Sequence, residues 1–251
     1  TFHADEAQVL VAGRVPVVAM LVGPGYVELV HEIAGLPDGS RVGLVCASAR
    51  GADSICNGAD DDGSGTVSVV ELAEAFTRNG ARPKRSVIFM TVSGEEKGLW
   101  GSQYFSEHPT VPLPQVVADL NIDMVGRNWK DTIVAIGKEH SDLGATLNRV
   151  AATHPELHMA PIDDRWPEEN FYYRSDHYNF ARKGVPILFF FNGTHPDYHQ
   201  VTDSPDKIDA EKQSRIVQLL FYLGQDVANA AARPKWNPAS YAKIVEQKPA
   251  T

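Results

Sequence analysis

Short apolar runs alternate along the chain with longer stretches whose apolar residues recur at helical spacing. Residues 42–46, 86–92, 116–122, 132–136 and 186–191 read as strands. Several are apolar without alternation, which suits a sheet covered on both faces. Between them, 66–79 sets Val69, Val70, Ala73 and Phe76 on one stripe and stops at Asn79-Gly80, a good helix end. Residues 139–153 and 209–231 also read as helices, the second with Pro205 shortly before it. This order predicts an α/β fold: three layers, helix–sheet–helix, around a mixed, mostly parallel central sheet. Residues 1–30 carry a weaker pattern, and the chain after Pro234 reads as loop.

Composition narrows the class. With 251 residues, 43% of them hydrophobic, the chain can bury a core of useful size. Lys plus Arg number 23 against 32 Asp plus Glu, a formal charge of −9. That argues against nucleic acid as a partner, since phosphate binding wants a basic face. No run approaches the ~20 apolar residues of a membrane span; the longest candidates, such as 186–191, are strand-sized. The chain opens on Thr1 with no leader ahead of it, which fits a mature or trimmed protein and neither shows nor excludes a removed secretory signal. Cys46 and Cys56 could form one disulfide, but two thiols are too few for a framework or a zinc knuckle.

Four acidic or histidine-bearing segments follow predicted strands directly: Asn57–Gly65, Ser93–Gly98, Asn121–Gly126 and Asn192–Asp206. Sites in open α/β sheets form at the carboxyl ends of strands, so these segments are expected to meet at one sheet edge. Their carboxylates and imidazoles are ligands for zinc or a similar divalent ion. Each segment alone has a bland reading: a solvated Asp-Gly turn, a surface pair at Glu95-Glu96, a capping Asp123, a loop histidine at His199. Their joint occurrence at strand ends argues against that reading. Asp60, Asp62, Ser64, Gly65 and Glu71 also fit a calcium-loop pattern, but the helix that should enter such a loop is missing.

The segments Gly58-Ala-Asp-Asp-Asp-Gly-Ser-Gly65, Gly94-Glu-Glu-Lys-Gly98, Asn121-Ile-Asp-Met124 and Tyr198-His199, in that order, resemble the co-catalytic zinc aminopeptidases. These include the bacterial leucyl aminopeptidases and aminopeptidase Y, with glutamate carboxypeptidase II and glutaminyl cyclase as relatives. Leu99-Trp-Gly-Ser102, Arg174-Ser-Asp-His177 with Phe180, and Asp203-Ser-Pro-Asp206 add to the match, which covers roughly residues 41–231. The resemblance implies a zinc exopeptidase acting on the free N-terminus of a peptide substrate, with one or two zinc ions. It implies that Asp61 bridges the metals across a cis bond to Asp62, that Glu96 and His199 complete one metal, and that Asp123 belongs to the other. Glu95 is implied as general base, and Tyr198 as a group that steadies the tetrahedral intermediate. His177 is expected to be structural or to support a ligand. A single-zinc, glutaminyl cyclase-like enzyme is the alternative activity, and a non-catalytic binding module the alternative class.

One departure matters. The family carries a His-x-Asp motif before the Asp loop, and its histidine completes the Asp123 metal. Here the stretch is Val45-Cys-Ala-Ser-Ala-Arg-Gly-Ala-Asp53, without histidine, and His31 ahead of it reads as a surface residue. Either a ligand is lost, or residues of the natural protein are absent from 31–53, which is short relative to the family. Residues 31–251 are expected to form the catalytic domain. Residues 1–30 are expected to be an N-terminal segment: Gly13–Met20 resembles the end of a protease-associated domain and reads equally as a plain strand. A secreted or periplasmic location goes with this reading. The sequon Asn192-Gly-Thr194 lies too close to the expected site for glycosylation.

Overall fold

The computed structural model describes residues 10–12, 17–22, 45–50, 53–55, 57–78 and 82–246, with side chains from Asn57 onward. In chain order the strands are β1 (Leu10–Ala12), β2 (Val17–Val22), β3 (Val45–Arg50), β4 (Asp53–Ile55), β5 (Ser86–Thr91), β6 (Val116–Ile122), β7 (Thr132–Ile136), β8 (Ala160–Ile162) and β9 (Ile187–Phe190). The helices are α1 (Gly65–Arg78), α2 (Trp100–Glu107), α3 (Leu143–Thr153), α4 (His177–Ala181), α5 (Ala210–Asn229) and α6 (Pro238–Ile244).

Seven strands form the main sheet in the order β1-β5-β2-β6-β9-β7-β8. The pairs β2–β5, β2–β6, β6–β9 and β7–β8 are parallel, whereas β1–β5 and β7–β9 are antiparallel. The sheet is therefore mixed and mostly parallel, as the alternation of elements predicts. Every residue of β6 and β9 is buried, because helices cover both faces. On one face Val69, Leu72 and Phe76 of α1, Leu147 of α3 and Leu219 and Leu223 of α5 pack on Leu120 and Ile122. On the other, Phe105 of α2 and Phe180 of α4 pack with Met90, Ile187 and Phe189. Fully burying side chains of this size contributes roughly 1.5–3 kcal/mol each, so the two cores hold the sheet edge rigid for the loops beyond it.

Three expectations are corrected. The strand expected at 42–46 is observed from Val45 to Arg50, and it pairs with β4 in a separate two-stranded sheet. The central position between β5 and β6 goes instead to β2. The sequence Val17-Val-Ala-Met-Leu-Val22 is apolar throughout and suits a doubly covered strand, whereas 45–50 includes Ser48 and Arg50. The tail expected as loop contains α6: Asn237 caps it by accepting from the Ala239 amide at 3.0 Å, Pro238 occupies the first turn, and Ile244 is buried. The predicted helix 139–153 divides into a 3-10 turn at Lys138–His140 and α3. No helix among the described residues is long and apolar enough to cross a membrane.

Candidate metal centre

The carboxyl ends of β5, β6 and β9 deliver three of the four segments to one place, and the turn ahead of α1 brings the fourth. After β5 the chain makes a 3-10 turn at Glu95–Lys97, set between Gly94 (φ 76°) and Gly98 (φ 108°). A cavity of about 330 Å³ opens there, lined among others by Asp61, Glu95, Glu96, Asp123, Tyr198 and His199. Nε2 of His199 lies 2.8 Å from Oε1 of Glu96 and 3.2 Å from Oδ2 of Asp61. These three residues each present a ligand atom within 4.8 Å of the others, the one such cluster among the described residues.

The three consecutive aspartates divide their work. Asp61 departs from helical geometry (φ −106°, ψ 85°), and the Asp61–Asp62 peptide is cis. Asp60 turns inward: its Oδ1 accepts from the Gly126 amide at 2.7 Å and its Oδ2 pairs with Nε2 of His195 at 3.1 Å. Asp62 is also buried, its Oδ1 accepting from the amides of Gly65 (2.9 Å) and Met124 (3.0 Å). Only the middle carboxylate lines the cavity. This arrangement removes both the solvated-turn and the calcium-loop readings, since the outer carboxylates are committed to backbone amides and Glu71 lies exposed on α1.

Asp123 lines the same cavity without joining the three-residue cluster. Its Oδ2 accepts from the Ser175 hydroxyl at 2.9 Å, and its buried Oδ1 has no hydrogen-bond partner among the described residues. The next residue, Asp176, accepts from Ser102 of α2 at 2.5 Å, and Asn179 donates to the same hydroxyl at 2.8 Å. The run Ser175-Asp176 thus braces Asp123 on one side and, through α2, the Glu95-Glu96 turn on the other. His177 lies outside the cavity. It is fully buried, stacked on Phe189, with Nε2 2.7 Å from the Tyr172 carbonyl. Burial lowers its pKa to about 3, so it stays neutral and donates to that carbonyl.

Leu99 (φ 60°), Met124 (φ 54°) and His199 (φ 55°) all line the cavity with left-handed backbones. Each such residue costs about 1–2 kcal/mol, and such strain gathers at functional sites. Asn192 is not a glycosylation acceptor in this fold. It is buried, with Oδ1 accepting from the Val134 amide and Nδ2 donating to the Thr132 carbonyl, both at 3.2 Å.

The electrostatics point to a cation. Burial, then the charges of Asp123, Asp176, Glu96 and Asp61, push Glu95 up to about 10. Burial likewise raises Asp61 and Asp123. Hydrogen bonds to Asp61 and Glu96 push His199 up to about 10. Acids that cannot all ionise together, an imidazole among them and an orphaned Asp123 oxygen fit a divalent ion, and two carboxylates with one imidazole suit zinc. The expected second imidazole has no counterpart among the described residues: β3 and β4 contain no histidine, and His31 and Cys56 fall outside them.

The model of peptidase family M28 matches residues 42–224. This chain belongs to peptidase family M28. Among M28 relatives, a vacuolar membrane protease of Aspergillus flavus is 32% identical over 121 residues, 48% of this chain and 13% of that protein. A probable leucine aminopeptidase of Arthroderma otae is 28% identical over 181 residues, 69% of this chain and 49% of that protein. The chain thus spans less than half the length of either relative. The crystal structure of the Legionella pneumophila LapA aminopeptidase superposes with a TM-score of 0.67 at 23% identity, covering 90% of this chain and 56% of that one. At that identity the likeness establishes the M28 fold.

His195, the contacts of Ser102 and the inward roles of Asp60 and Asp62 escaped the sequence reading. Their partners are backbone amides or residues far along the chain, which spacing does not reveal.

Proposed function

We propose that this chain is the catalytic part of a zinc-dependent aminopeptidase. The observation that carries the reading is the Asp61–Glu96–His199 cluster with Glu95 beside it in one cavity. Asp61, Glu96 and His199 would hold the ion. Bound there, zinc supplies a Lewis acid for the scissile carbonyl and lowers the pKa of water to ~7. Glu95, adjacent in sequence to a ligand, takes the proton of the attacking water and returns it to the leaving amine. Tyr198, whose hydroxyl burial keeps protonated, donates a hydrogen bond to the developing oxyanion. Phe171, Phe189, Phe191 and Met124 form the apolar wall that receives the substrate side chain.

The reading includes one firmly held zinc per chain. Asp123 without an imidazole leaves a second ion short of the four ligands it usually takes. The test is a panel of aminoacyl anilides assayed beside an N-terminal glutamine peptide, with zinc content measured on the same protein. Hydrolysis of the anilides at one zinc per chain is expected. Glu95→Gln should keep fold and zinc while losing roughly 10²–10⁴-fold in kcat. Cyclisation of the glutamine peptide without anilide hydrolysis would establish the cyclase reading instead, and inactivity of the zinc-loaded chain the binding-module reading.

A further inference from the structure

We propose that Asp203 is a positioning residue that sets the metal ligands Asp61 and His199 against one another; this rests on the metal reading above. Asp203 is 1% exposed and lies four residues beyond His199. Its Oδ2 accepts from the amides of Asp60 at 2.9 Å and Asp61 at 3.1 Å. Its main-chain oxygen accepts from the Ala59 amide at 3.1 Å. Three successive amides of the ligand-bearing turn therefore converge on one residue of the other ligand-bearing loop.

Those amides need an outside acceptor. They are the first amides of the turn Ala59–Ser64, where no preceding helical carbonyl is available, and Gly58 ahead of them gives no side-chain cap. Asp203 is in turn held in place: its own amide donates to the Gln200 carbonyl at 3.2 Å, and Nη1 of Arg127 stands 3.9 Å from its Oδ1. Arg127 also donates to Asp197 at 3.0 Å, two residues before His199. Asn57 Nδ2 donates to the Val201 carbonyl at 2.5 Å, a further tie between the same two loops. His199, with a left-handed backbone, sits between Asp197 and Asp203. Moving the Asp203 carboxylate therefore moves the Asp61 turn relative to His199. The 3.2 Å approach of Asp61 and His199 depends on that register. Groups that orient metal ligands without touching the metal typically govern 10–100-fold in affinity.

The experiment measures zinc affinity of the metal-free chain by competition with a chromophoric chelator, together with the thermal midpoint without zinc. It compares wild type, Asp203→Ala, Asp203→Glu and Asp203→Asn. Asp203→Ala removes the acceptor and Asp203→Glu keeps the charge but displaces the acceptor by about one bond length; each should weaken zinc about 10–100-fold. Asp203→Asn keeps an acceptor oxygen in place and should restore most of the affinity. A folded Asp203→Ala with wild-type zinc affinity overturns the proposal, even if its midpoint falls, because that is a purely structural role. If Asp203→Ala is recovered unfolded, Asp203→Glu decides: wild-type affinity there overturns it equally. An Asp203→Asn as weak as Asp203→Ala also overturns it, since charge and not the placed acceptor would then be at work. Failure of the wild type to bind zinc refutes the metal reading itself and is distinct from all of these.

Discussion

Zinc must expel protons to enter this centre. Without a cation, the His199 ring sits against Asp61 and Glu96 and its pKa is pushed up to about 10. A zinc ligand has to be the neutral imidazole, so at pH 7 the ion competes with a proton held about three units above ambient. The proton therefore lowers the apparent affinity at neutral pH, by less than the full shift implies because the His199 side chain is 46% exposed and screened by solvent. The raised carboxyl of Glu95 acts in the same direction, because it too holds a proton that a dication releases. The sign follows: affinity rises with pH. Chelator competition between pH 7 and 9 should give a slope of at least one in log affinity. Calorimetry in two buffers of different ionisation enthalpy should show at least one proton released per zinc at pH 7.5. An imidazole with the ordinary pKa of ~6.5 would be neutral across most of that range and give a flat line. A flat line, with no proton released, refutes the reasoning.

Two further outcomes probe the surroundings. Gly65→Ala should lower both the thermal midpoint and zinc affinity. Alanine favours a helix by only about 1 kcal/mol, whereas a Cβ at Gly65 would meet the Ile122 carbonyl and come within 2.5 Å of the Asp62 carboxylate, an overpacking that costs about 1–3 kcal/mol. Asp119→Asn should stabilise the fold at pH 8 and make little difference at pH 4, as read by urea denaturation. Asp119 is wholly buried with both oxygens unpartnered, and burial followed by the Asp176 charge raises its pKa well above the usual range. The folded state then keeps a proton that the unfolded chain loses above pH ~4, so wild-type stability falls as pH rises, and the amide removes that dependence.

How much of this was legible follows from what kind of contact each residue makes. The convergence of Asp61, Glu96 and His199 was readable because segments at strand ends meet at one sheet edge. The apolar runs at 86–92, 116–122 and 186–191 were readable because a doubly covered strand needs apolar residues throughout. That 17–22 lies between β5 and β6 was not, since neighbours in a sheet are set by tertiary packing and not by the run itself. The brackets around the site were the least legible. Asp60 holds the Gly126 amide, Asp62 the Met124 amide and Asp203 the Asp60 and Asp61 amides, and a backbone amide leaves no trace in the sequence of the residue that donates it.

The same distinction explains the asymmetry of the centre. On one side of Asp61 stand Glu96 and His199, from the loops after β5 and β9, and both loops are tied down: the first by Gly94 and Gly98, the second by Asp203 and Arg127. On the other side stands Asp123 with Ser175 on one oxygen and nothing on the other. Asp123 directly follows β6, and its amide donates to the Phe190 carbonyl at 3.0 Å, so the sheet fixes its backbone. Burial, and after it the charges of Asp123 and Asp176, raise the Glu95 carboxyl, so Asp123 bears on the proposed base whether or not it holds an ion of its own.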